Sequence, residues 1–384
     1  ENEATNVAVS SFTVTFSEPV YDPIGDTNPD DVTNPGNYRL VESGGDGFQT
    51  VSCQMGVAAT DVALAIDTAS YDSPTRTAML AVNGGVALGE GIYRLYVCGS
   101  AAIIDLVGLP LDGDGNGTGG DDFVRNFQVD TTTPSNPVLT PNLPPGVWTN
   151  VHDLVVTWSG ASDGGSGSGL AGYSVLFDLA SGTNPGTSIE VSEAAVHQAA
   201  ATLADGAPHY FHLVTCDRAG NCAPPIESGP FQVDTQAPSS PAPVTSSSHG
   251  DGLPHSNSAI AVSWTASSDQ PGLSGVSGYG VSLQGAAAPP VCAGTSTGGT
   301  SATLNAPSDG SYFLHACARD LAGNVSGVVV GGPYVVDTAG PAGLVVSSSS
   351  HTISTWSNDN SIDFSFSGAT DGSGIAGYAA VFDQ

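Results

Sequence analysis

The sequence predicts an all-β fold, several β-sandwiches in tandem forming an extended array. Three observations carry that expectation: a composition of turn and strand formers, a period of just over 100 residues, and short segments whose apolar residues alternate. At 384 residues the chain is too long for one sandwich and has room for three or four domains of about 100 residues each. Charged residues make up only 11% of the chain, while Gly (50) and Pro (26) are abundant alongside Ser and Thr, a balance that suits turns and strands and suits helices badly.

Acidic residues number 37 and basic ones 6, all of them Arg, for a net charge of −31. Such a surface repels phosphate backbones and anionic headgroups, whose binding draws its free energy from counterion release to Lys and Arg. Nucleic acid and membrane surfaces are therefore excluded as partners, whereas divalent cations are favoured. No apolar run approaches the ~18 residues of a membrane span, so no membrane insertion is expected. The chain opens at Glu1 with no leader-like apolar segment, which implies that export is directed by a segment outside it.

The period is set by Val-Asp-Thr, which recurs at Val129-Asp130-Thr131, Val233-Asp234-Thr235 and Val336-Asp337-Thr338, intervals of 104 and 103 residues. That is the length of one sandwich of immunoglobulin-like or fibronectin-III-like type. Each tripeptide is followed by a proline (Pro134, Pro238, Pro341) that cannot continue a sheet ladder. Domains are accordingly expected at 1–130, 131–234 and 235–337, with the N-terminal part of a further repeat at 338–384 that implies a longer native chain.

Within each period the same marks return in order. An alternating strand carries an aromatic residue, Trp158, Trp264 or Phe366, and these are expected at equivalent buried sites. Five residues later comes Asp163, Asp269 or Asp371, then a Gly-rich turn leading to Tyr173, Tyr279 or Tyr378. Strands headed by Tyr210 and Tyr312 run into Asp217-Arg-Ala-Gly-Asn221 and Asp320-Leu-Ala-Gly-Asn324, which read as hairpin loops because Gly and Asn tolerate positive φ. Ser192–Leu203 is Ala-rich and has helix propensity, but its repeat partner is rich in Gly, Thr and Ser. It reads as a loop entering a strand, with a short helix as the alternative. The first 130 residues differ, yet the alternating Phe12, Val14 and Phe16 and the run Ile92–Val97 again mark short strands separated by turns.

Six cysteines fall in adjacent pairs, one pair per domain, which predicts Cys53–Cys98, Cys216–Cys222 and Cys292–Cys317 in an oxidising compartment. The alternative is six free buried thiols. Zinc is disfavoured, since no C-x-x-C occurs and the eight His are scattered.

In these features the chain resembles the bacterial immunoglobulin-like domain repeats of cell-surface and secreted proteins. The run Phe16-Ser-Glu-Pro-Val20 and the acidic run at Asp112–Gly117 make the first domain similar to the surface-layer-associated subtype. The Val-Asp-Thr linkers and Asp-x-Ala-Gly-Asn loops mark the later ones. The resemblance implies spacers in adhesins, parts of surface layers or filaments, or accessory domains of exported enzymes.

Chemistry is most concentrated in Asp112-Gly-Asp-Gly-Asn-Gly-Thr-Gly-Gly-Asp-Asp122. Asp112, Asp114, Asn116 and the carbonyl of Thr118 occupy positions 1, 3, 5 and 7 of a calcium loop, with Gly117 at position 6. Phe123 stands where the bidentate Glu is expected, and Asp121 or Asp122 is the candidate substitute; the alternative is a solvated acidic turn. A second set follows from topology, because the B–C and F–G loops of such a sandwich lie at the end where the preceding linker arrives. Asp130, Asp163 and Asp217 are thereby expected at one junction, Asp234, Asp269 and Asp320 at the next, and Asp337 and Asp371 at the start of a third. Asn221 and Asn324 are counted with them as oxygen donors. Calcium explains the recurrence of the set, while turn-forming aspartates explain each residue singly.

Catalytic readings fare poorly. Gly294-Thr-Ser-Thr-Gly298 matches G-x-S-x-G formally but lacks the strand-to-helix elbow. His209, His212 and His315 alternate with strand aromatics and read as surface residues. The expected role is an extracellular structural or adhesive stalk, fibre, filament or surface-layer component of calcium-stabilised repeats, not an enzyme, with itself or a host or cell-surface receptor as partner. Its alternative is the non-catalytic arm of a larger secreted hydrolase. Trp158 and Trp264 read as core positions, which leaves few aromatics for a sugar platform.

Overall fold

The computed structural model describes residues 3–100, 103–285, 292 and 294–383, with the side chains of Ala207 and Thr295 excepted. Glu1 and Gln384, the outer ends of the first and last expected domains, lie outside the described residues. Secondary structure is almost wholly β, and the two short 3-10 turns Pro35–Asn37 and Asn83–Gly85 are the helical elements among the described residues. The chain divides into two compact units, residues 1–142, 155–201 and 210–229 forming one and residues 143–154, 202–209 and 230–384 the other.

The first unit opens with eight strands: β1 (Glu3–Thr5), β2 (Ser11–Thr15), β3 (Tyr38–Glu42), β4 (Val62–Leu64), β5 (Ile66–Asp72), β6 (Thr77–Val82), β7 (Gly91–Val97) and β8 (Phe123–Val129). They form two sheets, β1-β8-β7-β3-β4 and β2-β6-β5. Alternation places Phe12 and Val14 of β2 toward the facing sheet, where Phe12 meets Phe127 edge-on at 5.3 Å. Leu40, Leu80, Val82, Tyr93 and Leu95 close the core between the sheets, and full burial of a side chain such as Leu40 contributes about 1.5–3 kcal/mol. Cys53 is bonded to Cys98 just beyond β7.

The rest of this unit belongs to β9 (Val138–Pro141), β11 (Asp153–Ser159), β12 (Leu170–Asp178), β13 (Val191–Ser192), β14 (Gln198–Thr202), β15 (Gly206–Asp217) and β16 (Ile226–Val233), with β10 (Trp148–Thr149) in the other unit; β11, β14, β15 and β16 have residues in both. β11 pairs antiparallel with β9 from Val156↔Pro141 to Ser159↔Val138, and β12 pairs with β15 from Leu170↔Asp217 to Asp178↔Tyr210. Trp158, 4% exposed, packs edge-on to Tyr173 at 5.3 Å and against Phe211 at 5.8 Å. The Ala-rich segment ends in strand β14 and contains no helix.

The second unit repeats this plan with β17 (Val244–Ser246), β18 (Pro254–His255), β19 (Ala259–Trp264), β20 (Val276–Gly285), β21 (Thr295–Thr297), β22 (Ser301–Asn305), β23 (Gly310–Asp320) and β24 (Val329–Val336), in sheets β17-β19-β22 and β18-β24-β23-β20-β21. Trp264 is 6% exposed and meets Tyr279 edge-on at 5.4 Å, as Trp158 meets Tyr173. The pair β25 (Val345–Ser348) and β26 (Phe364–Ser367) follows. Phe366 faces Val346 in the register in which Trp264 faces Val244, but it is half-buried rather than buried, stacking on Tyr378 at 5.3 Å. No strand among the described residues after Ser367 lies over it.

The histidine expectation needs correction. His212 and His315 occupy equivalent strand positions and are 1% and 3% exposed, so neither is a surface residue. His212 is covered because the loop after β12 folds across its face of the sheet. Asp178 reaches its Nε2 at 2.9 Å and Glu227 stands 3.7 Å from its Nδ1. Burial of His315 pushes its pKa down, which keeps the ring neutral.

Candidate metal sites beside the Val-Asp-Thr linkers

The acidic run of the first sandwich folds largely onto itself. Asp112 Oδ1 accepts from the amides of Gly115 (2.9 Å) and Asn116 (3.1 Å) and its Oδ2 from that of Gly117 (2.7 Å). Asn116 donates its side-chain amide to Asp114 Oδ2 at 3.0 Å and accepts the Thr118 N–H at 2.8 Å. Asp121 accepts from Gly113 N at 2.6 Å, and oxygens of Asp112, Asp114 and Asp121 lie within 4.8 Å of one another. Asp122 is turned elsewhere, accepting Cys53 N at 2.6 Å and Gly99 N at 3.1 Å beside the Cys53–Cys98 bridge. The loop therefore brings together three of its four aspartates.

A different constellation forms where β8 ends. The Asp130 N–H donates to Thr5 O, and its Oδ2 accepts the Ser168 N–H at 2.7 Å from the loop after β11. In that loop Asp163 Oδ2 accepts the Gly169 N–H at 2.7 Å. A Cβ added at Gly167 would sit 2.1 Å from Asp163 O and 2.4 Å from its Oδ2, so the loop closes this tightly only around glycine. From the β15 hairpin, Asp217 Oδ1 accepts the amides of Gly220 (2.7 Å) and Asn221 (2.8 Å), a turn that Gly220 completes at φ 95°. Oxygens of Asp130, Asp163 and Asp217 lie within 4.8 Å of one another and all three residues are buried. Burial pushes the Asp163 carboxyl up, and the charges of Asp130 and Asp217 push it further.

The second unit carries the same arrangement in Asp234, Asp269 and Asp320, again with oxygens within 4.8 Å. Asp234 Oδ2 accepts Ser274 N at 3.1 Å and Ser274 Oγ at 2.5 Å, and Asp269 Oδ2 accepts Gly275 N at 2.7 Å. Asp320 Oδ1 accepts Asn324 N at 2.8 Å, around Gly323, also at φ 95°. Further along, the hydroxyl and amide of Ser373 hold the Asp371 carboxyl below its usual range. Asp337 accepts Ala339 N at 3.2 Å.

Asn221 and Asn324 act as clasps. The Asn221 side-chain amide donates to Asp130 O (2.8 Å) and Asp217 Oδ2 (2.7 Å), and that of Asn324 to Asp234 O (2.8 Å) and Asp320 Oδ2 (2.8 Å). Their nitrogens, which cannot ligate a cation, thus face the carboxylates. The disulfide Cys216–Cys222 closes the first of these loops, whereas Arg319 and Val325 form the matching bridge in the second without one. Cys292 is bonded to Cys317.

A further element escapes the sequence reading. The residue before β7, β15 and β23 is acidic in each case and grips the linker Thr. Glu90 Oε1 accepts Thr131 Oγ1 at 2.8 Å, Asp205 Oδ1 accepts Thr235 N (2.9 Å) and Oγ1 (3.0 Å), and Asp309 Oδ1 accepts Thr338 N (3.0 Å) and Oγ1 (2.8 Å). The signal lay in Glu90-Gly91, Asp205-Gly206 and Asp309-Gly310, the same acid-glycine pair heading the same strand. Gly294–Gly298 overlaps strand β21, which pairs with β20 and leads into no helix. Trp158 and Trp264 are core residues, while the exposed Trp356 stands at the repeat position of Trp148 in β10.

Three curated proteins align with long stretches of the chain. Chitinase A1 of Niallia circulans is 31% identical over 206 residues (52% of this chain, 25% of that protein). Exoglucanase B of Cellulomonas fimi is 29% identical over 278 residues (67% and 22%), and Exoglucanase A of the same organism 32% over 204 (52% and 21%). The chain therefore spans about a quarter or less of the length of the curated relatives it matches. No family model matches it. Among solved structures, the fibronectin(III)-like modules of Clostridium thermocellum CbhA align at 16% identity and TM-score 0.33, covering 52% of this chain and 95% of theirs. A cytokine receptor complex aligns at 17% and 0.22, covering 53% and 98%. What the described residues define is a run of tandem β-sandwiches with disulfides and acidic clusters beside the linkers.

Proposed function

We propose that this chain is a non-catalytic arm of a larger exported polysaccharide hydrolase, in which tandem sandwiches carry and space a catalytic domain encoded elsewhere in the same protein. The observation that carries this reading is that three relatives named as a chitinase and two exoglucanases align with 204–278 residues of the chain, each over only 21–25% of its own length. That pattern fits shared modules rather than a shared catalytic domain. It favours the hydrolase arm over the stalk or filament that the repeats alone suggest. Three disulfides support an oxidising, extracytoplasmic setting.

The test is made on the full-length protein and on a version lacking residues 1–384. The expected outcome is hydrolysis of chitin or cellulose by the full-length protein. Deletion should leave the rate on a soluble oligosaccharide unchanged and lower the rate on the insoluble polymer. A full coding sequence containing further repeats and no non-repetitive domain would instead restore the stalk reading.

A further inference from the structure

We propose that Asp130, Asp163 and Asp217 form a binding site for a hard divalent cation, calcium by donor type, that pins the Val-Asp-Thr linker to the two loops beside it. The inference is independent of the hydrolase reading. Its first support is geometric. Two oxygens bound to one calcium at about 2.3–2.6 Å can lie no more than about 5 Å apart, and one oxygen from each of the three residues falls within 4.8 Å of the others. The donors come from three separate chain segments, so a common ligand would tie all three.

The second support is a polar atom without a partner. Asp163 is 8% exposed, and its Oδ1 is buried with no hydrogen-bond donor, while its Oδ2 takes the Gly169 amide. Asp130 and Asp217, at 2% and 3% exposed, stand beside it. Three buried carboxylates with one bare oxygen are costly unless a positive charge joins them. Among the described residues, no Arg forms an ion pair with any of the three; the Arg–carboxylate pair present is Arg125–Glu3 in the first sandwich.

Donor chemistry selects the ion. No His or Cys belongs to the group, which disfavours zinc and copper, and an all-oxygen set is what calcium takes. The backbone amides of Ser168, Gly169 and Gly220 already aim the carboxylates, so the site is formed before an ion arrives. Asp234, Asp269 and Asp320 repeat the set, but both oxygens of the half-buried Asp269 accept backbone amides. That group serves as the internal comparison.

The experiment is a titration of the intact chain with calcium alone, followed by calorimetry, with hydrogen exchange read at Ser168 and Gly169. Extracellular calcium modules bind at roughly 0.1–1 mM, so 10 mM calcium should slow exchange at these amides about ten-fold or more. D163N should lower the calcium stoichiometry by one. Exchange at Ser274 and Gly275 in the second unit should keep its wild-type response in D163N and report that the variant is folded. Unchanged exchange at Ser168 and Gly169 in the wild-type chain at 10 mM calcium would overturn the proposal, as would equal stoichiometry in wild type and folded D163N. Should D163N not fold, the exchange measurement on the wild-type chain decides alone.

Discussion

Asn221 donates its side-chain amide to the backbone carbonyl of Asp130 at 2.8 Å across 91 residues of sequence, and so fastens the loop of one β-hairpin to the linker strand that precedes its sandwich. The contact is buried and charge-assisted at its other end, where the same amide meets Asp217 Oδ2. Asn324 repeats it on Asp234.

Asn221→Ala should therefore destabilise the second sandwich by about 1–3 kcal/mol, since a buried carbonyl and a buried carboxylate oxygen lose their donor. Asn221→Asp should be worse, because it sets a fourth carboxylate among Asp130, Asp163 and Asp217. Urea unfolding of both variants checks the order, and an Asp variant as stable as wild type would contradict it.

Replacing Trp158 or Trp264 by Ala should cost about 3–5 kcal/mol, enough to unfold a marginal domain. The two rings pack on Tyr173 and Tyr279 in the same edge-on way, so the two losses should be similar. Phe366→Ala should cost clearly less, since Phe366 is half-buried. Calorimetric scans that resolve the separate transitions would show this.

The disulfides should contribute unequally. Cys53–Cys98 spans 45 residues, and loop-closure entropy assigns such a bridge about 4 kcal/mol. Cys216–Cys222 spans 6, and the equivalent loop between Arg319 and Val325 folds without a bridge. Paired Cys→Ser replacements followed by thermal unfolding should give a large loss for the first and a small one for the second.

Acid should loosen the loop after β12 before it loosens the core. The Thr183 hydroxyl, followed by the Ala180 amide and His212, holds the Asp178 carboxyl below its ordinary 3.8, and the Gly182 amide with the Ser181 hydroxyl holds Glu227 below 4.5. A carboxylate whose folded pKa is depressed contributes stability that is present above its unfolded value and lost as pH falls through the folded one. Protection of amides 178–186 should thus be constant above about pH 5 and fall as pH drops through 4. Hydrogen exchange at several pH values checks the window, and Asp178→Asn should flatten it.

Much of this was legible because repetition supplies its own alignment. The spacing of Asp130, Asp234 and Asp337 pointed to β-sandwiches in tandem, and alternation around Trp158 and Trp264 marked core strands. Aspartates 163 and 217 fall at matching places in each period, and they lie beside Asp130. What escaped was whatever depends on which way a side chain turns. Asp122 sits in the acidic run by sequence, yet it serves the amides of Cys53 and Gly99. Asn221 and Asn324 offer oxygen or nitrogen equally on paper, and the carbonyls of Asp130 and Asp234 call for the nitrogen. His212 alternates with core residues, which normally means solvent, but the outer face of its sheet is covered. The grips of Glu90, Asp205 and Asp309 on the linker threonines were missed because a lone acid before a glycine reads as any turn.

Whether Asp130, Asp163 and Asp217 together hold one cation is decided by a crystal grown with calcium and measured for anomalous scattering. The expected result is an anomalous peak bonded to oxygens of Asp130, Asp163 and Asp217 at about 2.3–2.6 Å. No peak there, with Asp163 Oδ1 sharing a proton with a neighbouring carboxylate, would contradict it.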